Sequence, residues 1–365
     1  MDNPYLKRLD SKANVRTTTT TKSRRDLLLN MTSIKNVADA AQVSTATVSR
    51  ALSNPDVVSP KTRNKIFKAV EQTGYVPNAL ARNFRRKRSD TALVLIPDIS
   101  NIFFADIVRG IEHKAISVGY QVLIGDTQYS HAREVIYYDE IRQRKADGII
   151  SLGYHGYFPL ELLKQQDQSK RPAFVAALEY EDELDTPLVG IDNKLAAYEV
   201  TNFFLSHNHK DIAFLNGPED SLLSRTRYQG HKNALAEAGI KPYKALYRAG
   251  DFTAESGRQA MQRLLASKKK FTAVFIANDE MAFGAIHAIH EAGLRIPDDI
   301  SIIGFDDIHF SKYTSPPLTT VHQPRFAIGE TCMDILIKLL NNEKLESQHV
   351  VLPHKIIERQ SVKTL

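Results

Sequence analysis

Residues 43–52, VSTATVSRAL, predict a short helix and the turn before it in the N-terminal part of the chain. Ser44 or Thr45 can cap a short helix that continues through Leu52. A second helix is predicted directly upstream, because apolar residues recur at helical spacing after Ser33, a plausible N-cap. Residues 42–44 interrupt the helical pattern, so the sequence predicts two short helices joined by a tight turn.

Signals downstream of this pair predict a third helix. Asn54-Pro55-Asp56 ends the second helix, and Ser59-Pro60 begins another one, which Gly74 closes. Three helices in this arrangement are typical of a helix-turn-helix unit, whose second helix lies in the major groove of DNA. We therefore predict a DNA-binding domain over residues 33–77.

The charge of the chain is unevenly distributed. Of 48 Lys/Arg and 42 Asp/Glu, residues 1–90 contain 18 and 7, a balance of +11, and the other residues have a balance of −5. A basic quarter joined to a mildly acidic remainder favours an anion-binding head, with nucleic acid as the leading partner. A solvated charged face without a partner is the alternative.

Two segments flank the predicted domain. Residues 1–32, with the threonine run Thr17 to Thr21 and little apolar periodicity, are predicted to be disordered. Residues 78–90 contain the basic run Arg85 to Arg88 and are predicted to be a linker with a short helix. About nine residues make a helix that is marginal alone in water, so we expect it to form on its partner.

From Thr91 onward, short apolar strands alternate with amphipathic helices. This rhythm predicts an α/β fold with doubly wound parallel sheets. We expect a domain over residues 91–360 with two lobes, 91–191 with 322–338 and 192–321 with 339–360. Ligands bind beyond the carboxyl ends of strands in such sheets, so the residues there are the candidate site.

Several classes of protein are disfavoured. One cysteine excludes an internal disulfide framework, and no apolar run approaches the length of a membrane helix. Together these two observations indicate a cytoplasmic protein without a membrane partner. We find no nucleophile elbow, phosphate loop, zinc-protease motif or dinucleotide fingerprint, and the histidines lack metal-site spacing. We therefore predict no enzyme, cofactor or metal; an enzyme built on this body is the alternative.

Several motifs resemble those of one bacterial family. Residues 43–52 and 74–77 are similar to the DNA-binding head of LacI/GalR repressors. Residues 278–282, 301–306 and 317–329 are similar to later signatures of that family, in the same order. Residues 123–126, 250–253 and 323–325 look most like its cytidine-responsive members. The resemblance extends from about Ser33 to about Arg359.

The resemblance implies a repressor with a helix-turn-helix head, a hinge helix and a two-lobed body like that of periplasmic binding proteins. It implies a homodimer on a pseudo-palindromic operator and control by a small-molecule effector, with a nucleoside such as cytidine as the first candidate. A purine base, a sugar such as ribose or a phosphoprotein corepressor is the alternative effector. A second regulator, the cyclic-AMP receptor protein, is implied as a further partner. The operator sequence and the direction of the effector's action stay open.

The resemblance also assigns residues to DNA. Thr45 and Ala46 fall at its main base-reading positions, with Arg50 as a further base contact. The predicted phosphate contacts are Ser44, Thr47, Ser49, Asn54, Ser59, Thr62 and Arg63. The hinge contacts are Ala81, Arg82 and Phe84. Phe84 is expected to enter the minor groove where the family more often has leucine; packing against its symmetry mate is the alternative.

The predicted effector site combines aromatic and polar side chains beyond strand ends. Phe103, Phe104 and Phe252 would stack on a base or sugar, and Arg227 would donate to ligand oxygens. The full set is Asp98, Phe103, Phe104, Arg227, Phe252, Asn278, Asp279 and Asp306. Asp279 as a helix N-cap is the alternative for that residue.

Overall fold

A computed structural model describes residues 33–76, 88–153, 172–179 and 186–365. The predictions for residues 1–32 and for Ala81, Arg82 and Phe84 lie outside these ranges. The described residues belong to two compact units, a head of residues 33–76 and a body of residues 88–365.

The head contains helices α1 (Ile34–Ala41), α2 (Thr45–Ser53) and α3 (Pro60–Thr73). Each helix begins at a serine whose hydroxyl accepts a hydrogen bond from a backbone amide in the first turn; these serines are Ser33, Ser44 and Ser59. Gly74 ends α3 at φ 60°, a conformation that glycine adopts without a steric penalty. The predicted caps are therefore confirmed.

A small apolar core holds the head together. Val48 and Ala51 of α2 are fully buried, and Ile66 of α3 packs with them. The remaining buried members are Val37, Ala38, Ala41, Val58 and Ala69. Because α2 contributes only one face to this core, its opposite face stays on the surface.

The body contains two largely parallel sheets, as predicted, and the described residues supply six strands to each. The strands of the first lobe are β1 (Thr91–Ile96), β2 (Gln121–Asp126), β3 (Gly148–Ser151), β4 (Ala173–Ala177), β5 (Leu188–Gly190) and β11 (His349–Val351), in the order β11-β5-β4-β3-β1-β2. The strands of the second lobe are β6 (Ile212–Asn216), β7 (Tyr247–Ala249), β8 (Ala273–Ile276), β9 (Ser301–Asp306), β10 (Thr319–His322) and β12 (Lys355–Ile357), in the order β12-β10-β9-β8-β6-β7. All pairs are parallel except β10 with β12.

Helices cover both sheets. The first lobe has α4 (Phe103–Ser117), α5 (His131–Arg142) and α10 (Arg325–Leu340), and the second has α6 (Asn193–Ser206), α7 (Leu222–Glu237), α8 (Ala254–Leu265) and α9 (Asp279–Glu291). The helices pack in pairs, α4 with α10, α6 with α7 and α8 with α9. Central strands such as β1 and β8 are buried along most of their length, as expected for parallel strands covered on both faces.

One predicted lobe boundary is wrong. We expected residues 339–360 to return to the second lobe, but β11 pairs in parallel with β5 of the first sheet. Only β12 joins the second sheet, against β10. Within residues 186–365 the chain thus passes between the lobes after β5, after β10 and between β11 and β12.

Candidate functional site

The outward face of α2 presents the predicted base-reading residues. Thr45, Ala46 and Arg50 are exposed, whereas Val48 and Ala51 on the same helix are fully buried. The short side chains of Thr45 and Ala46 suit thymine methyl groups and single hydroxyl bonds. Arg50 has a guanidinium that can make a bidentate contact with guanine.

The predicted phosphate contacts are partly engaged within the head. The Ser44 hydroxyl lies 2.8 Å from that of Thr47, and the Ser59 hydroxyl lies 2.9 Å from that of Thr62. Arg63 donates to Asp56 at 3.0 Å. Ser49 is half-buried, and Asn54 is exposed where α2 ends. The Thr47 hydroxyl therefore belongs to the N-terminal cap of α2.

In the body, a cavity lies between the two lobes at the carboxyl ends of their strands. It encloses about 580 Å³ of space free of protein atoms, part of which is open to solvent. Its walls follow β1 to β4 in the first lobe and β6 to β10 in the second. The lining residues are Pro97, Asn101, Phe103, Phe104, Tyr129, Leu152, Gly153, Leu178, Glu179, Leu223, Arg227, Phe252, Asn278, Asp306 and Gln323.

The first-lobe wall is mainly aromatic. Phe103 and Phe104 begin α4 and meet edge to face, with ring centroids 5.3 Å apart. Tyr129 lines the same wall from a backbone with φ 53°. Burial, and then the nearby carboxylate of Asp98, raise the pKa of Tyr129 to about 12, so its hydroxyl keeps its proton at neutral pH.

Arg227 supplies the buried cation of the second-lobe wall. Its Nε donates to Asn193 Oδ1 at 2.9 Å and one Nη donates to the Ala277 carbonyl at 2.5 Å. Its guanidinium also stacks 3.7 Å from the centre of the Phe305 ring. These contacts fix the planar group, and they use two of its five N–H donors.

Phe252 and Asn278 complete this wall together. Phe252 has φ 70°, and its ring occupies the space beside Gly217, where a Cβ would lie 2.3 Å from the ring. Asn278 donates to the Phe252 carbonyl at 2.9 Å and accepts from the Met281 amide at 3.0 Å. Asn278 is therefore the N-cap of α9, and it also holds Phe252 in place.

Asp306 brings a buried carboxyl to the cavity. Gln323 donates to its Oδ1 at 2.7 Å. Burial raises the pKa of Asp306 to about 7, with Arg227 opposing this rise and Asp279 adding to it. This carboxyl can therefore change protonation state near neutral pH.

Asp98 and Asp279 are not among the residues that line the cavity, unlike the other predicted effector contacts. Asp98 accepts hydrogen bonds from the amide and hydroxyl of Ser100. Asp279 is fully buried and accepts from Ser311 and Thr320 at 2.6 Å each, and from the Ile308 amide. Its N-cap alternative is also wrong, because the cap is Asn278.

Sequence reasoning missed several of the lining residues, among them Glu179 and Tyr129. Glu179 is buried just after β4, and its Oε2 accepts from the Ser221 hydroxyl at 3.1 Å and the Leu223 amide at 3.0 Å, across the cavity in the second lobe. Its position after a predicted strand was a usable signal. Tyr129 lies in the turn after β2, at Gln128–Tyr129, so it had the same signal.

Two kinds of feature are absent from the described ranges. No helix in them is long and apolar enough to cross a membrane. The same residues contain no group of three or more His, Cys, Asp or Glu side chains that could hold a metal ion.

A helix-turn-helix head and a two-lobed body with an inter-lobe cavity define a ligand-responsive DNA-binding regulator. Residues 33–78 match bacterial regulatory proteins of the lacI family, and residues 201–362 match the periplasmic binding protein-like domain. The chain belongs to the lacI family of bacterial regulatory proteins, which are transcriptional regulators and not enzymes.

Relatives match over most of the chain. The HTH-type transcriptional repressor CytR of Escherichia coli (strain K12) is 41% identical over 91% of this chain and 96% of its own length. Catabolite control protein A of Priestia megaterium is 38% identical over 90% of this chain and 99% of its own. The lac repressor dimer bound to operator and the anti-inducer ONPF matches with a TM-score of 0.81 and 28% identity, over 91% of this chain and 99% of that one.

Proposed function

We propose that the effector of this repressor is a nucleoside, with cytidine as the first candidate. The observation that supports it is the composition of the inter-lobe cavity, where aromatic rings from both lobes accompany a few convergent polar groups. Phe103 and Phe104 offer ring surfaces from one side and Phe252 from the other, which suits a planar base. Arg227, Asn278 and Asp306 are the candidate partners of sugar hydroxyls and ring N–H groups.

The charges of the cavity favour an uncharged ligand over a phosphorylated one. Glu179 and Asp306 are buried in its lining, whereas none of the described lining residues is a lysine. Arg227 is already surrounded by Asn193, Ala277 and Phe305. A phosphate would need more donors and fewer carboxylates than the described walls provide.

Calorimetry on the full-length protein tests this proposal. We expect cytidine to bind, whereas guanine, hypoxanthine and ribose bind more weakly, and saturating cytidine should reduce operator affinity by about 5- to 150-fold. Adenosine tests whether the site distinguishes nucleosides. Phe252→Ala should weaken cytidine binding at least about tenfold, since aromatic stacking contributes about 1–3 kcal/mol per base in nucleic-acid sites.

The matched control is Tyr243→Ala, because Tyr243 is a half-exposed aromatic residue outside the cavity. It should leave cytidine binding unchanged. Binding of a purine base alone, with a gain in operator affinity, would overturn the nucleoside proposal in favour of a corepressor. Chemical conversion of any ligand would favour the enzyme alternative.

We further propose that Thr45, Ala46 and Arg50 contact base edges and that Ser44, Thr47, Ser49, Asn54, Ser59, Thr62 and Arg63 contact phosphates. The exposed outer face of α2 supports the first assignment. The second is supported by the clustering of hydroxyl groups at the N-termini of α2 and α3, where backbone amides favour anions. The hinge assignments of Ala81, Arg82 and Phe84 stay predictions.

A dimer is the proposed assembly, by analogy with the lac repressor dimer. The first lobe has an apolar surface beside its edge strand β2, where Ile99, Ile102 and Ile124 are 60%, 41% and 40% exposed. These residues, with Ala105 and Val108 of α4, line one shallow groove. A contiguous apolar surface of this kind is typical of a protein interface.

A further inference from the structure

Arg325 connects the two lobes beside the cavity. It is the first residue of α10, where the chain enters the first lobe from the second, and its side chain is 9% exposed. Its guanidinium donates to the carbonyl of Asp306 and, at 3.1 Å, to that of Asp307, both in the second lobe. It also donates to Oδ2 of Asp106 at 3.1 Å, on α4 of the first lobe. Asp106 lies two residues after Phe104, which lines the cavity.

The backbone that Arg325 holds is an unusual one. Asp306 and Asp307 have φ values of 119° and 52°, which are uncommon for residues other than glycine. Such conformations persist where surrounding contacts fix them, and they cluster at ligand sites and switch regions. Here Arg325 binds both carbonyls, and Gln323 binds the Asp306 carboxyl.

The carboxylate of the following residue is fixed as well. Arg359 donates to Asp307 Oδ1 at 2.6 Å, and the His322 ring lies 2.9 Å from Oδ2. His322 ends β10, and Arg359 follows β12, so both come from segments next to the crossings between lobes. The Asp306–Asp307 turn is therefore held by residues next to the crossings between the lobes as well as by the core of its own lobe.

The chemistry of the arginine side chain suits this position. A planar guanidinium can donate to three acceptors in fixed directions, which the single ammonium group of lysine does with less geometric control. In the described structure its Nε is buried without a hydrogen-bond partner.

We propose that Arg325 is the positioning residue that couples occupation of the cavity to the relative positions of the two lobes. The proposal rests on the proposed function, since it concerns the same effector site. A ligand that contacts Asp306 constrains the Asp306–Asp307 turn, and Arg325 transmits this constraint to Asp106 and α4. A ligand shifts the equilibrium between two lobe arrangements only to the extent that it binds them with different affinity. The Arg325 guanidinium donates hydrogen bonds to both lobes, so its contacts depend on how the lobes are arranged.

The test compares operator affinity without and with saturating cytidine in Arg325→Met and Arg325→Lys. In Arg325→Met, the ratio of the operator affinity without cytidine to that with cytidine should fall at least about fivefold toward 1, while cytidine still binds. Arg325→Lys should recover only part of the ratio, because lysine cannot hold all three acceptors in the same geometry. A lower melting temperature with an unchanged ratio would show a merely structural role and overturn the proposal.

Two neighbouring variants separate the contacts of Arg325. Asp106→Ala removes the first-lobe acceptor and leaves the bonds to the turn, so it should reduce the ratio as well. The double variant with Arg325→Met should lose no more than either single variant, as expected for one shared contact. Arg109→Gln is the control: Arg109 donates to the other oxygen of the same carboxylate at 3.3 Å, from an exposed position, and its loss should leave the ratio unchanged.

A ligand-free measurement distinguishes failure of this proposal from failure of the proposed function. If cytidine does not bind the unaltered protein, the nucleoside proposal is wrong, and hydrogen exchange then decides the role of Arg325. Arg325→Met should accelerate amide exchange at residues 306–308 and at the start of α4 together. Faster exchange confined to residues 306–308, or no change at either place, would contradict coupling through Arg325.

Discussion

Two buried carboxyl groups, Asp279 and Asp306, titrate at unusually high pH for aspartates. Burial raises the pKa of Asp279 to about 6, although hydrogen bonds from Ser311, Thr320 and the Ile308 amide lower it. Burial likewise raises the pKa of Asp306 to about 7, against the opposing charges of Arg227 and Arg325. Between the ordinary aspartate pKa and these values, the folded protein binds more protons than the unfolded chain. The contribution of this pair to stability therefore falls as pH rises through that range.

Asp306→Asn should remove part of this dependence. Relative to the unaltered protein, its free energy of unfolding should rise with pH between about 4 and 7, by on the order of 2–4 kcal/mol, because an amide has no ionised form to bury. Urea denaturation at a series of pH values measures the difference. No trend with pH, or a trend of opposite sign, would contradict the assignment.

Asp334→Asn is the matched control, because the contribution of Asp334 to stability changes with pH in the opposite direction. Lys114 and Lys338 lower the pKa of Asp334, so its ion pairs stabilise the protein above the ordinary aspartate pKa and are lost as pH falls. This substitution should therefore reduce stability at neutral pH and make no difference in acid.

Asp306 and Asp279 show which residues of the cavity can be predicted from the sequence and which cannot. Asp306 ends a buried parallel strand, and the rule that ligands bind beyond such ends placed it in the cavity. Asp279 also follows a strand, but Ser311 and Thr320, some thirty to forty residues later, take up its carboxylate. Their approach depends on tertiary packing, which no local pattern encodes.

Among the helices, glycines mark the places where paired helices approach most closely. A Cβ at Gly284 of α9 would lie 1.7 Å from the Ala254 carbonyl oxygen at the start of α8, and one at Gly257 would lie 2.1 Å from that of Met281. Similar contacts occur at Gly230 between α6 and α7, and at Gly110 and Gly329 between α4 and α10. All three helix pairs of the body thus use glycine to bring their backbones together.

Gly284→Ala should therefore destabilise the second lobe although alanine is the better helix former. Separating α8 from α9 costs packing of the order of 1–3 kcal/mol or more, which exceeds the gain of about 1 kcal/mol in helix propensity. Urea denaturation measures the change. The control Gln262→Ala, at an exposed position of α8, should alter stability by less than about 0.5 kcal/mol, and equal effects of both variants would contradict the packing argument.

The longer elements were predictable and the short edge strands were not. Apolar runs and capping residues located β1, β8, β9 and the helices to within a few residues. Strands β7, β11 and β12 have three residues each and are at least partly exposed. Their sequences therefore show neither a run of buried apolar residues nor an alternation of apolar and polar residues. Their sheet membership depends on hydrogen bonds to a neighbour, and for this reason the assignment of residues 339–360 to one lobe was wrong.

For the whole molecule, the apolar surface beside β2 gives the proposed dimer a test. Ile124→Asp should weaken self-association at least about tenfold, because burying an unpaired charge in an apolar interface is costly. Sedimentation equilibrium measures the dimer dissociation constant. Operator affinity should fall in parallel, since each of the two heads binds one half-site.

Val351→Asp is the control for that experiment. Val351 is 65% exposed on β11, at the opposite edge of the same sheet. The same substitution there should leave the dimer unchanged. If Ile124→Asp remains dimeric, the interface lies elsewhere on the chain.

The passage of the chain between lobes also bears on how the protein is made. Strand β11 completes the edge of the first sheet, yet it follows β6 to β10 of the second in the chain. During synthesis from the N-terminus, neither lobe can acquire its full set of strands until residues 349–357 have left the ribosome. The two lobes are therefore expected to mature together once this segment has been made, unlike domains that are continuous in sequence and fold one after the other.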